Sequence, residues 1–221
     1  MHFFDIENIF FNVLGYQMSY LEFFGTISGG VAVWLSARAN IWSWGIGTVN
    51  VVLLFFLFFQ IRLYPDMFLQ VFFLITNLIG WWRWAHPAPE EEDQKHELKV
   101  SFMNRRDLIM VFVGSLIGTL ALGMFAEKLN QIFPAIFKEP TSYPYADSFV
   151  LVTSIFATFL MIQKKIESWI IWIAVDVVAT VLYFSKDVKF LGLEYLIFCF
   201  IAAYGLYNWI HEYDSYKKAS A

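Results

Sequence analysis

Seven apolar runs dominate this chain of 221 residues, at 20–38, 41–61, 65–86, 108–126, 148–163, 166–184 and 190–210. A helix takes roughly 20 apolar residues to cross about 30 Å of hydrocarbon. Within lipid only helices and closed barrels can satisfy their own backbone groups. The runs therefore predict an all-α polytopic membrane protein with seven transmembrane helices. The 59% apolar and 20% aromatic content exceeds what a soluble domain of this size buries. Trp and Tyr flank many of the runs, as they do at lipid–water interfaces.

The runs fall into a pattern. Gly80-Trp81-Trp82-Arg83-Trp84-Ala85-His86 closes the third, and Gly205-Leu206-Tyr207-Asn208-Trp209-Ile210-His211 closes the seventh, 125 residues later. Upstream, Ser43-Trp44 matches Ser168-Trp169. Val49-Asn50-Val51-Val52 matches Val175-Asp176-Val177-Val178 if one residue is inserted in the second copy. The chain thus reads as a three-helix unit used twice with one helix between, a 3+1+3 arrangement. The lone helix restores the direction of the chain, so the repeats cross the membrane in parallel, related by an axis along its normal. Such a seam between halves can hold a substrate. Gly25, Gly29 and Gly30 in the first run, and Gly114 and Gly118 in the fourth, are expected to let helices approach closely.

The expected segments are an amphipathic interfacial stretch at 1–19, repeat 1 at 20–86, a charged linker at 87–107 and a connecting helix at 108–126. A loop at 127–147, repeat 2 at 148–213 and a tail at 214–221 complete the chain. Residues 3–18 alternate Phe, Leu and Ile with Asp5, Glu7, Asn8 and Asn12, which predicts a short helix along the membrane surface. No Lys or Arg precedes Arg38, so a basic leader is not expected. Pro134, Pro140 and Pro144 break the 127–147 loop. Sorting Lys and Arg by alternate loops puts ten on one side, including Arg38, Arg83, Lys99, Lys164 and Lys165. Five lie on the other: Arg62, Lys128, Lys138, Lys186 and Lys189. The richer side should be cytoplasmic, leaving the amino terminus outside and the carboxyl terminus inside.

Polar groups at membrane depth are expensive, and so point to function. Trp169, Trp172 and Asp176 are spaced i, i+3, i+7 and share a helical face. Two rings and a carboxylate on one stripe suit a flat cationic ring, through stacking, cation–π attraction and counter-charge. Packing of the two rings and helix pairing by Asp176 would explain the same pattern. Gln70, Asn77, Trp81 and Trp84 form a second stripe. Asn50, Gln60, Trp44, Glu194 and Tyr195 complete the candidate set. Amides can hold sugar hydroxyls or a carboxamide, or can bridge helices at about 1 kcal/mol each. Trp82 and Tyr207 fit interface anchors, as do His86 and His211.

Catalytic and metal motifs are missing: there is no His-Glu-x-x-His, no paired cysteines, no nucleophile elbow and no phosphate loop. Neither a cofactor nor a metal is expected. The lone Cys199 predicts a buried core residue, and the net charge of −4 argues against a nucleic-acid partner.

Several motifs resemble the PnuC family of B-vitamin transporters: Trp169-x-x-Trp172, Phe59-Gln60-Ile61-Arg62-Leu63-Tyr64, Leu69-Gln70-Val71-Phe72-Phe73, Gly80-Trp81-Trp82-Arg83-Trp84 and Leu193-Glu194-Tyr195. The resemblance runs from about Phe3 to Trp209. It implies an architecture like that of the SWEET sugar transporters and facilitated diffusion of nicotinamide riboside across a bacterial inner membrane. It also implies a homotrimer and a cytoplasmic kinase that phosphorylates and traps the vitamin. Carried over, Trp169 and Trp172 would flank the pyridinium, while Asn50, Gln60 and Gln70 would reach the ribose or carboxamide. The chain departs from the pattern at Asp176, where nicotinamide riboside members resemble one another in carrying Asn. A carboxylate there suits a more strongly cationic or amino-bearing ring, and the family has thiamine transporters. A membrane binding subunit served by a separate ATPase is the alternative of another class.

Overall fold

The computed structural model describes residues 5–13, 16–60, 64–93, 95–134, 141–186 and 189–219. Expectations resting on Ile61, Arg62, Leu63, Lys138 and Pro140 fall outside these residues. The chain divides into two compact units, Met1–Lys99 and Val100–Ala221.

The first unit opens on two short strands. Ile9–Val13 (β1) and Tyr16–Ser19 (β2) pair as an antiparallel hairpin, not as a surface helix. Ile-Phe-Phe-Asn-Val and Tyr-Gln-Met-Ser are rich in aromatic and β-branched side chains, which fit a pleated surface better than a helix. The rings of Phe10 and Phe11 pack on Phe23, and Phe10 also meets Tyr20. Ser19 ends the hairpin and caps α1 (Tyr20–Ala37): Glu22 N–H donates to Ser19 Oγ at 3.2 Å, and Ser19 N–H donates to the Glu22 carboxylate at 2.8 Å. The Ser-x-x-Glu spacing is the pattern of a reciprocal capping box.

From there α2 (Trp42–Gln60) packs on α1, and α3 (Tyr64–Ala85) packs on α2. The linker is folded rather than merely solvated. A 3₁₀ turn at Pro89–Glu91 leads into a tight turn in which the Asp93 carboxylate accepts from Lys95 N–H at 2.7 Å and Glu97 N–H at 2.9 Å. Arg83 pairs with Glu91 at 2.5 Å, and His96 pairs with Glu92.

In the second unit α4 (Arg105–Glu127) is followed by the short α5 (Leu129–Ile132). Next come α6 (Pro144–Ile162), α7 (Glu167–Ser185) and α8 (Lys189–Ala219). Pro144 starts α6 four residues before the expected run, because proline at a first helical position loses no helix hydrogen bond. Here α4 packs on α6, α6 on α7 and α7 on α8. Residues after the linker turn dock on the α6–α7 corner: Ser101 N–H donates to Lys164 O, and Ile166 N–H donates to Ser101 O.

The internal repeat holds residue for residue. α2 and α7 each have 19 residues and begin and end 125 apart, α1 and α6 end 125 apart, and α3 and α8 begin 125 apart. The corner between the first two helices is the same in both units. Ala39 (φ 51°) and Lys164 (φ 53°) occupy the left-handed region, both almost wholly buried. Asn40 N–H donates to Leu35 O at 3.0 Å, and Lys165 N–H to Leu160 O at 3.0 Å.

This regularity corrects the expected insertion. At a constant offset Asn50 corresponds to Val175, and Asp176 corresponds to Val51. One residue inserted within α7 would rotate everything after it by about 100°, yet buried Leu57 and Leu182 still coincide.

Glycine sets the closest approaches. A methyl group at Gly80 would lie 2.5 Å from the Trp44 ring, and one at Gly205 would lie 2.7 Å from the Trp169 ring. Gly25, Gly29, Gly114 and Gly118 meet Leu54, Asn50, Phe156 and Val152, as expected, whereas Gly30 faces open space. Gly80→Ala should therefore cost about 1–3 kcal/mol through overpacking. Gly30→Ala should gain up to about 1 kcal/mol from helix propensity. Thermal unfolding in detergent checks the pair, and a lower midpoint for the Gly30 variant than for the Gly80 variant would contradict the packing.

Among the described residues five helices are long and apolar enough to cross a membrane: α2, α4, α6, α7 and the Gly192–Tyr216 part of α8. α1 and α3 are not among them. α3 carries Gln70, Asn77 and Arg83, and α1 carries Glu22 with three glycines, which dilutes their hydropathy. Long apolar side chains cover the outside, with Phe112 and Phe200 each 70% exposed, as a lipid-facing surface requires.

Candidate substrate-recognition site

The repeat separates scaffold from specialised positions. In the first unit Trp44 lies over Gly80 and meets Trp84 edge to face, with centroids 5.4 Å apart at 90°. In the second, Trp169 lies over Gly205 and meets Trp209 at 5.5 Å and 87°. All four rings are buried. Trp82 stacks on His86 and Tyr207 on His211, again at matching positions, and the two outer rings are exposed as interface anchors would be. Rings that recur with the same partners hold helices together. Trp44, Trp84 and Trp169 are thereby placed in packing locks.

The locks carry a cost. Neither the Trp44 nor the Trp169 indole N–H has a hydrogen-bond partner among the described residues. An unsatisfied buried donor costs about 1–3 kcal/mol.

The units diverge at a few polar or bulky positions. Where the first has Gly47, Val51 and Asn77, the second has Trp172, Asp176 and Ala202. The Asn77 amide sits over Gly47, 3.1 Å from where a methyl group would project. Trp172 is half-buried and Asp176 only 3% exposed, one turn apart on α7. No described residue donates a hydrogen bond to the Asp176 carboxylate, although Thr180 Oγ1 donates to its backbone carbonyl at 2.7 Å. Burial without a donor penalises the charge of a lone carboxylate, and a cationic partner would offset that penalty.

Around it α7 and α8 gather further polar groups. The Tyr195 hydroxyl lies within electrostatic reach of Asp176, Glu194 and Tyr183, and the rings of Tyr183 and Tyr195 stack at 5.2 Å and 7°. Cys199 is also within reach of Asp176 and is half-buried, so it is not the core residue expected. Tyr183 was missed from the sequence. It continues the Trp169, Trp172, Asp176 stripe at i+14, so extending the same spacing would have found it.

The amides in the first unit have local partners. Asn50 Nδ2 donates to Gly25 O at 2.7 Å, joining α2 to α1. Gln60 Oε1 accepts from Ile6 N–H at 3.0 Å and its Nε2 donates to Phe56 O at 3.1 Å, which pins the amino-terminal segment. Gln70 is buried on α3, and Trp81 lies against Gly45 with its ring 5.9 Å from Trp42. Asp176 and Glu194 therefore lie within electrostatic reach of Tyr195 in the second unit, with Trp172 one turn from Asp176 on α7. Asn50 and Gln60 are engaged in joining elements.

The whole chain, beyond these residues, is similar to known transporters. The sequence is 32% identical to the nicotinamide riboside transporter PnuC of Escherichia coli (strain K12), over 96% of this chain and 95% of that protein. It is 24% identical to the riboflavin/roseoflavin transporter RibM of Streptomyces davaonensis, over 84% and 82% of the two chains. The crystal structure of the vitamin B3 transporter PnuC superposes with a TM-score of 0.65 at 23% identity, covering 87% of this chain and 81% of that one, which shows a shared fold. Residues 19–211 match the family model described as nicotinamide mononucleotide transporter, and with this match across most of its length the chain belongs to that transporter family.

Proposed function

We propose that this protein takes up nicotinamide riboside by facilitated diffusion, the vitamin then being trapped by phosphorylation on the cytoplasmic side. One observation carries the substrate: near end-to-end similarity to a nicotinamide riboside transporter at 32% identity. The geometry supports it. Nicotinamide riboside presents a flat pyridinium cation, and Trp172 and Asp176 offer an aromatic face and a counter-charge one turn apart. Glu194 and Tyr195 add polar partners, while Gln70, Asn77 and Trp81 are the candidates from the first unit.

The accompanying architecture we propose is a seven-helix, 3+1+3 bundle like that of the SWEET transporters, with two parallel three-helix repeats. Its expected setting is a bacterial inner membrane, amino terminus outside and carboxyl terminus cytoplasmic, as a homotrimer. The segment boundaries read from sequence belong to the same proposal, apart from the hairpin that replaces the amino-terminal helix.

Liposomes carrying the pure protein should equilibrate labelled nicotinamide riboside with neither ATP nor an ion gradient. Saturable binding without flux would instead indicate a binding subunit that needs an ATPase. Strict dependence on a proton or sodium gradient would refute uniport. The donor-free Asp176 carboxylate favours a second reading, thiamine, whose thiazolium is also a flat cation. Binding of both vitamins to the same preparation separates the two.

A further inference from the structure

Between the start of α4 and the end of α6 the second unit leaves a crevice of about 320 Å³. Its walls are apolar: Met110 from α4 with Phe156, Phe159 and Leu160 from α6. Phe156 closes the floor, its ring reaching to 2.9 Å from where a methyl group on Gly114 would stand. Met110 and Phe159 are 52% and 45% exposed, so the opening faces out from the unit. The rim is polar and carries one charge of each sign, Asp107 and Lys165, with Gln163 beside them. Both walls are helices able to span a membrane, and the rim lies at their ends, where lipid headgroups lie.

We propose that this crevice holds one phospholipid with a primary-amine headgroup, its acyl chain against Met110, Phe156 and Phe159 and its headgroup between Lys165 and Asp107. The charges select the headgroup. Lys165 Nζ donates to Ser101 Oγ at 2.9 Å, which leaves two of its three N–H groups for a phosphate. Asp107 Oδ2 accepts from Asn104 Nδ2 at 2.8 Å, which leaves its other oxygen for an ammonium. A phosphoethanolamine group carries both complements. A glycerol headgroup brings only negative charge toward Asp107, and a choline offers it no N–H donor. The site rests on α4 and α6 spanning the membrane and is independent of which vitamin is carried.

The test uses full-length protein, stripped of native lipid in detergent and offered phosphatidylethanolamine, phosphatidylglycerol and phosphatidylcholine of matched chains. Native mass spectrometry reads the bound lipid. The wild type should hold one phosphatidylethanolamine in roughly tenfold preference to the others, equal to about 1.4 kcal/mol. Asp107→Asn should erase that preference, and Met110→Trp, which fills the crevice from an exposed position, should abolish retention. Met110→Trp alone suffices if Asp107→Asn does not fold. Equal retention of all three lipids, preference for phosphatidylglycerol, or retention unchanged by the variants would overturn the proposal. So would a second copy of the chain occupying this face with no lipid bound.

Discussion

Trp169→Ala is expected to cost the fold about 3–5 kcal/mol, the range for truncating a fully buried tryptophan. The ring is 1% exposed, lies over Gly205 and meets Trp209 edge to face. In a membrane the loss is mainly of packing, since lipid tails are as apolar as the site. Little can collapse into the gap, because Gly205 has no side chain to offer. Trp44→Ala should behave alike through Gly80 and Trp84. Trp169→Phe should cost less, since it keeps an aromatic ring and deletes a buried N–H with no partner among the described residues. Thermal unfolding of the three variants in one detergent checks this. A Trp169→Ala protein as stable as the wild type, with reduced vitamin binding, would place Trp169 at the substrate rather than in the scaffold.

Trp172→Ala and Asp176→Asn should give the opposite pattern, with unfolding midpoints near the wild type and vitamin affinity lowered roughly tenfold, equal to about 1.4 kcal/mol. Trp172 is half-buried, and its counterpart in the first unit is Gly47, so the packing lock shared by the two repeats does not include it. Asp176 receives no side-chain hydrogen bond from the described residues, so exchange for an amide breaks no internal bond. Deleting its charge should penalise a cation while leaving neutral nicotinamide unaffected. Calorimetric titration with the cation and the neutral amide reads this difference. Unchanged affinity in both variants would move the site away from α7.

The two outcomes separate a tryptophan pair that the Trp169-x-x-Trp172 spacing treats as one. Both rings lie on the same stripe of α7, and helical periodicity gives them equal standing. Only the neighbour distinguishes them, since Trp169 has a glycine of α8 beneath it and Trp172 does not. Asn50 shows the same limit. Membrane depth made it a ligand candidate, and the Gly25 carbonyl on α1 claims its amide.

The linear pattern by itself determined the helical class, the repeat and its 125-residue period, because lipid forces hydrogen bonds to close within each helix and hydropathy then marks most of the helices. The Ser19-x-x-Glu22 cap is likewise local, its partners three residues apart, but the structure identified it. The hairpin at Ile9–Ser19, the insertion-free match of α2 with α7 and the sorting of scaffold tryptophans from candidate ligands were decided by tertiary structure. The sorting of tryptophans depends on which side chain from a distant segment fills the space, and apolar periodicity records which face is turned inward without recording what it meets there.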